Sequence, residues 1–93
     1  MKPKVYRLDG RKIKSVKDFY REIGRSVNGR GGYFGANLDA LADCLRGGFG
    51  TPDDRPFEVD WDHSESSQRH LGGAFVDAVV EVFDEEGITL RLR

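Results

Sequence analysis

The sequence lacks the features of proteins stabilised by disulfides or zinc, and those of membrane or secreted proteins. A single cysteine, Cys44, excludes an internal disulfide and a cysteine-based zinc cluster, and such low use of cysteine is typical of a reducing compartment. No apolar run approaches the roughly 18–20 residues that cross a bilayer. The first seven residues also lack the apolar segment of a secretory signal. We therefore expect a cytoplasmic protein that does not associate with membranes.

What is present describes one folded domain spanning residues 1–93, because 38% of the residues are hydrophobic and 33% are charged. The net charge of −1 conceals an uneven distribution. Residues 1–46 carry eleven Lys/Arg and five Asp/Glu, whereas residues 47–93 carry four and eleven. Nucleic-acid binders are more often basic overall. The basic segment from Lys2 to Arg30 nevertheless leaves a nucleic-acid or regulatory binding module as an alternative function.

Hydrophobic periodicity predicts helices that separate short strands. Strands are expected at residues 5–8, 57–61 and 88–92, and the last long helix from Gly72 to about Glu86. Residues 62–70 are polar and predict a helical turn or two at the surface. Because helices lie between the strands, the connections are crossovers. The prediction is an α/β fold, with a three-stranded parallel sheet packed with helices.

The first long helix has a clear start and one apolar face. Ser15 is its expected N-cap, with Asp18 three residues later as in a capping box. Apolar residues then recur at helical spacing and predict the buried face: Val16, Phe19, Tyr20, Ile23 and Val27. The charged residues between them are expected at the surface: Lys17, Arg21, Glu22 and Arg25.

Residues 31–46 form a glycine-rich loop followed by a short helix that Asn37 should cap. Helical spacing places Leu38, Leu41, Ala42 and Leu45 on one face. Asp39, Asp43 and Arg46 fall on another face, at i, i+4 and i+7. Two carboxylates four residues apart repel each other, and Asp43 lies toward the helix end where an anion is disfavoured. This placement suggests a binding role, although an ordinary solvated surface explains the pattern as well.

Other groups of residues have simpler interpretations. The glycine-rich loop is not followed by Lys-Ser/Thr, so it does not match a phosphate-binding P-loop. It can instead present Tyr33 and Phe34 at the surface as interface anchors, although one ring could belong to the core. Cys44 is expected to be a half-buried structural thiol, and Trp61 a core residue. His63, Glu65 and His70 lack a spacing that assembles a catalytic set. We therefore predict no enzymatic activity, cofactor or metal.

Residues 33–45, Tyr-Phe-Gly-Ala-Asn-Leu-Asp-Ala-Leu-Ala-Asp-Cys-Leu, resemble the signature of the barstar family of ribonuclease inhibitors. Matching features flank it in register: Gly10, the Ser15-capped helix, Asp60-Trp61, Val82-Phe83 and Gly87 to Leu90. The resemblance implies an intracellular protein that binds a secreted, guanyl-specific microbial ribonuclease one to one. It implies no nucleic-acid partner.

The resemblance also implies roles for individual residues. Asp43 would replace the substrate phosphate, Asp39 would pair with cations at the mouth of the active site, and Tyr33 would pack against the catalytic base. Gly35 and Asn37 would shape the loop. A family glutamate on the last helix corresponds by position to Glu85. The predicted ribonuclease-binding set is Tyr33, Phe34, Gly35, Asn37, Asp39, Ala42, Asp43, Arg46 and Glu85.

Three positions depart from the family pattern. Ala42 stands where the best-known member has Trp, Gly48 replaces an aromatic residue, and Ala36 replaces an acidic one. These changes predict a smaller interface or a different ribonuclease of the same broad class.

Overall fold

The computed structural model describes residues 3–47 and 56–93 and contains one three-stranded sheet with strand order β1-β2-β3. Both strand pairs are parallel, which confirms the predicted α/β fold. The elements in chain order are β1 (Lys4–Asp9), a 3-10 turn (Gly10–Lys12), α1 (Val16–Asn28), α2 (Leu38–Arg46), β2 (Phe57–Asp62), α3 (Ser64–Leu71), α4 (Gly73–Glu85) and β3 (Leu90–Leu92). None of these helices has the length and apolar character needed to cross a membrane. Gly48 lies outside the described residues.

The central strand β2 carries the core of the molecule on one face. Phe57, Val59 and Trp61 are all buried there, so the prediction for Trp61 is confirmed. The Trp61 Nε1–H donates to Ser67 Oγ at 3.0 Å, and the Ser67 hydroxyl donates to the Gly10 carbonyl at 2.8 Å. The helical turns predicted at residues 62–70 are confirmed as α3, but two of its serines, Ser64 and Ser67, are buried rather than exposed. The hydroxyl of Ser67 thus has both its donor and its acceptor satisfied inside the fold.

The opposite face of the sheet carries a network of charges. Asp60 is only 1% exposed and lies within 3.3 Å of Arg7, 2.6 Å of Arg91 and 3.5 Å of Arg93. The strand register places Arg7 and Arg91 on either side of Asp60. A buried carboxylate needs such partners because its desolvation is costly. The basic and acidic halves of the chain thus meet in the fold rather than forming two separate surfaces.

Helix α1 begins as predicted and buries most of its apolar face. The Asp18 backbone N–H donates to Ser15 Oγ at 3.1 Å, and the Asp18 carboxylate accepts from the Lys14 N–H at 3.1 Å. Phe19 and Ile23 are wholly buried, but Val16 is 45% exposed. The prediction for Val16 is wrong because this residue opens the helix and lies beyond the edge of the core.

Glu22 was expected at the surface but is 4% exposed. Its carboxylate accepts hydrogen bonds from the Asp9 backbone N–H at 2.8 Å and from Arg25 Nε and Nη2 at 2.8 and 2.7 Å. Burial by itself raises the pKa of Glu22, but the Arg25 hydrogen bonds, the Asp9 N–H and nearby positive charge outweigh it, so the pKa is lowered. Glu22 therefore joins α1 to the end of β1 as a carboxylate.

We expect Glu22→Gln to destabilise the fold at neutral pH by about 1–3 kcal/mol, as is typical for a buried charged hydrogen bond. Because the folded-state pKa lies below the ordinary value of 4.5, the contribution is complete well above pH 4.5 and is lost as the pH falls through the folded-state pKa. Urea unfolding at several pH values measures this. The wild-type and Glu22→Gln curves should converge in acid, whereas Glu81→Gln, at an exposed position of α4, should match the wild type throughout. Equal stabilities at pH 7 would contradict the assignment.

Candidate functional site

Helix α2 buries one face and presents another, as predicted. Asn37 is its N-cap, since Oδ1 accepts from the Ala40 N–H at 2.8 Å. Leu41 and Leu45 are wholly buried, while Leu38 and Ala42 are partly buried. Asp39, Asp43 and Arg46 are exposed. The helix is therefore fixed to the core by its leucines, and its polar face is held rigidly at the surface.

Asp39 and Asp43, here called the acidic stripe, differ in their surroundings. The Asp43 side chain is 69% exposed and accepts one hydrogen bond, from Arg46 Nη1 at 3.2 Å. Asp39 makes no ion pair with any residue of 3–47 or 56–93. Both carboxylates are exposed, and Arg46 reaches only one oxygen of Asp43, so the stripe is available to cations on another molecule. The stripe can thus act as a preformed anionic contact.

Arg46 connects α2 to the end of α4. Its Nε and Nη2 donate to the two carboxylate oxygens of Glu86 at 3.1 and 2.9 Å. These hydrogen bonds lower the pKa of Glu86, even though partial burial opposes the shift. The family resemblance pointed to Glu85, which is exposed and forms no ion pair within the described residues. Helical spacing does not reveal Glu86, because its partner lies forty residues away.

The loop before α2 separates its two aromatic rings. Tyr33 is 44% exposed, whereas Phe34 is wholly buried and meets Phe57 edge-to-face at 6.4 Å. The predicted contact role of Phe34 therefore needs correction, because its ring supports the loop from inside the core. Gly35 has a φ of +100°, and a Cβ there would lie 2.9 Å from the Leu41 backbone nitrogen. Only glycine allows this close turn into α2.

The loop also rests directly on α1. A Cβ added at Gly24 would overlap the Gly32 carbonyl oxygen. The Asn28 Nδ2 donates to the Tyr33 carbonyl at 2.7 Å. These contacts place the backbone of Tyr33 relative to α1. The glycine inside α1 was the available sequence signal, since a helical glycine is costly unless something packs closely against it.

The basic N-terminal half does not form a uniform positive surface. The arginines at 7, 11, 21, 25 and 46 each pair with a carboxylate. A cleft of about 510 Å³ between α1 and the following loop contains both signs of charge. Its charged lining residues are Lys12, Asp18, Arg21, Glu22, Arg25 and Arg30. A track for nucleic-acid phosphates needs unopposed cations. Lys12, Lys14, Lys17 and Arg30 form no ion pair among residues 3–47 and 56–93, so ion pairing opposes only part of the basic segment.

The remaining candidate groups have structural surroundings. Cys44 was expected to be half buried, but it is 2% exposed. Burial and the neighbouring Asp43 charge both raise the pKa of its thiol. His63 opens α3 with a φ of +53° and lies at the surface. No cluster of three or more metal-ligating side chains occurs among residues 3–47 and 56–93.

We expect Cys44 to react with Ellman's reagent only when the chain unfolds. Reactivity requires an accessible thiolate, and both burial and the raised pKa oppose it. Absorbance should rise slowly under native conditions and rapidly in urea. A Cys44→Ser, Asp84→Cys variant, with its thiol on the exposed part of α4, should react at once in both. Fast native labelling of the wild type would show that α2 opens locally.

The chain matches a known protein family over nearly its whole length. A family model described as Barstar (barnase inhibitor) matches residues 3–91. The chain belongs to the barstar family. The match covers nearly the whole chain, including the loop, α2 and α4. Members of the barstar family inhibit barnase-type ribonucleases rather than acting as enzymes, so the family-level partner is a protein.

Proposed function

We propose that this barstar-family chain blocks the active site of a small secreted guanyl-specific microbial ribonuclease in a one-to-one complex, and that it does so in the cytoplasm of the producing cell. The observation that carries the proposal is the exposed Asp43 carboxylate on a helix locked to the core. Asp39, one helical turn earlier on α2, is also exposed, and the half-exposed Tyr33 lies in the loop that precedes the helix.

The chemistry of a ribonuclease explains why carboxylates inhibit it. Its active site must be cationic to hold a phosphate and to stabilise the charge of the transition state. In our proposal Asp43 occupies the phosphate position, where arginine can make short charge-assisted hydrogen bonds to it. Asp39 pairs with cations at the mouth of the site, and Tyr33 packs against the catalytic base. A carboxylate offers no bond that the enzyme can cleave.

The surface around Asp43 supports a narrow contact. Ala42 is partly buried and has a single methyl group, so no large ring rises from α2 next to Asp43. Large aromatic residues often supply much of the binding energy at an interface. We propose that this inhibitor depends more on its acidic stripe than aromatic-rich members of its family do.

Titration of ribonucleases with the purified chain tests the proposal. Barnase and other small guanyl-specific microbial ribonucleases are the probes, and cleavage of a fluorescent RNA is the readout. For the cognate enzyme, activity should fall linearly and reach zero at one equivalent. The association rate constant should also fall as salt increases, because exposed opposite charges are screened. Failure to inhibit any such enzyme, together with salt-sensitive RNA binding in a filter assay, would instead favour the nucleic-acid alternative.

A further inference from the structure

Arg46 is shared between the acidic stripe and a carboxylate that no sequence pattern indicated. Glu86 accepts two hydrogen bonds from Arg46, at 3.1 and 2.9 Å, whereas Asp43 accepts one, at 3.2 Å. The Glu86 side chain is 15% exposed, while the Arg46 and Asp43 side chains are 63% and 69% exposed. Glu86 thus holds the Nε and Nη2 groups of the guanidinium, and only Nη1 reaches Asp43.

This geometry leaves one of the two carboxylate oxygens of Asp43 without a hydrogen bond among the described residues. Arg46 Nη1 contacts Oδ1 of Asp43, and Oδ2 accepts no hydrogen bond from residues 3–47 or 56–93. We propose that Glu86 is a positioning residue of the inhibitory site: by holding Arg46, it keeps the second oxygen of Asp43 open to a cation of the ribonuclease. The inference rests on the proposed function, because it assigns Asp43 to that contact.

The physical reason is competition between two carboxylates for one guanidinium. Arg binds a carboxylate best in a bidentate arrangement, and Glu86 now takes that arrangement. If Glu86 loses its charge, Asp43 is the one carboxylate of residues 3–47 and 56–93 still paired with Arg46, and it can accept both of its parallel N–H groups. The ribonuclease must then displace Arg46 before it can bind Asp43. Exposed ion pairs are weak, so the expected effect is about two- to fivefold in affinity.

Four variants and the wild type test this with barnase as the probe, by stopped-flow association and by inhibition titration. Glu86→Gln should weaken binding about two- to fivefold. Glu81→Gln removes the same charge from an exposed position of α4, which does not contact Arg46 among the described residues, and should change binding less than twofold. Arg46→Gln should bind at least as tightly as the wild type. Adding Glu86→Gln to Arg46→Gln should have no further effect, because the competing guanidinium is gone.

The outcomes separate the positioning role from its alternatives. Equal weakening by the Glu81 and Glu86 variants would overturn the inference in favour of general electrostatic attraction. A Glu86→Gln effect that persists in the Arg46→Gln background would overturn it in favour of a structural role at the end of α4. If the wild type inhibits neither barnase nor any related ribonuclease, the proposed function itself fails, and the inference fails with it.

Discussion

Asp43→Ala should weaken ribonuclease inhibition by at least about 30-fold while leaving the fold at least as stable. Truncating one member of a charge pair that becomes buried at an interface typically costs about 2–5 kcal/mol, a range to which the barnase–barstar complex itself contributes. The cost to folding is small, because the Asp43–Arg46 pair is exposed and Glu86 still holds Arg46. Alanine is also a better helix former than aspartate. Inhibition titrations and thermal unfolding of the same preparations measure the two effects.

The control for Asp43→Ala is Asp77→Ala, which removes one negative charge from an exposed position of α4. It should retain inhibition of the cognate ribonuclease, with only a modest change in association rate. Asp39→Ala should fall between the two. An Asp43→Ala variant that inhibits as well as the parent would show that the proposed mechanism is wrong, whatever the family of the chain.

Gly24→Ala should destabilise the fold and weaken inhibition, although helix propensity alone predicts that alanine stabilises α1. Alanine in the middle of a helix is favoured over glycine by about 1 kcal/mol. In α1, however, the added methyl group would overlap the Gly32 carbonyl oxygen, so the loop must move away from the helix. We expect a net loss of about 2 kcal/mol, or roughly 10 °C in melting temperature. Inhibition should weaken as well, because the displaced loop carries Tyr33.

Gly73→Ala is the matched control for Gly24→Ala. Gly73 begins α4, and no atom lies within 4 Å of a Cβ added there. The substitution should leave the melting temperature unchanged or raise it slightly. Differential scanning calorimetry of both variants measures the change in stability. Inhibition assays at a temperature where each variant is folded then show whether the binding site itself has changed. If Gly24→Ala were also neutral, the loop would not depend on its contact with α1.

Much of the fold could be predicted from local patterns. The Asn37 and Ser15 caps and the order of strands and helices follow from short-range chemistry. Predictions failed where a contact joins distant residues. Glu22 looks like an ordinary surface residue of α1 until β1 brings the Asp9 N–H against it. The serines of α3 look solvated until Trp61 and Gly10 surround Ser67.

The same distinction applies to the site. Helical spacing indicated Asp39 and Asp43, since their placement on one face follows from the period of the helix. It did not decide which aromatic ring is buried, because Tyr33 and Phe34 are adjacent and either could have faced Phe57. Nor did it identify Glu86, which meets Arg46 only because α2 packs against α4. Tertiary packing supplied both assignments.

The burial of Phe34 has a consequence for the thermodynamics of association. Its ring packs against Phe57, Gly35 closes the turn and Asn37 caps α2, so the backbone around Tyr33 is ordered before a partner arrives. Binding then loses little chain entropy, unlike the folding of a disordered segment onto its target. Calorimetry should give a heat-capacity change that corresponds to the contact surface alone. Amide exchange in α2 should be slow already in the unbound inhibitor.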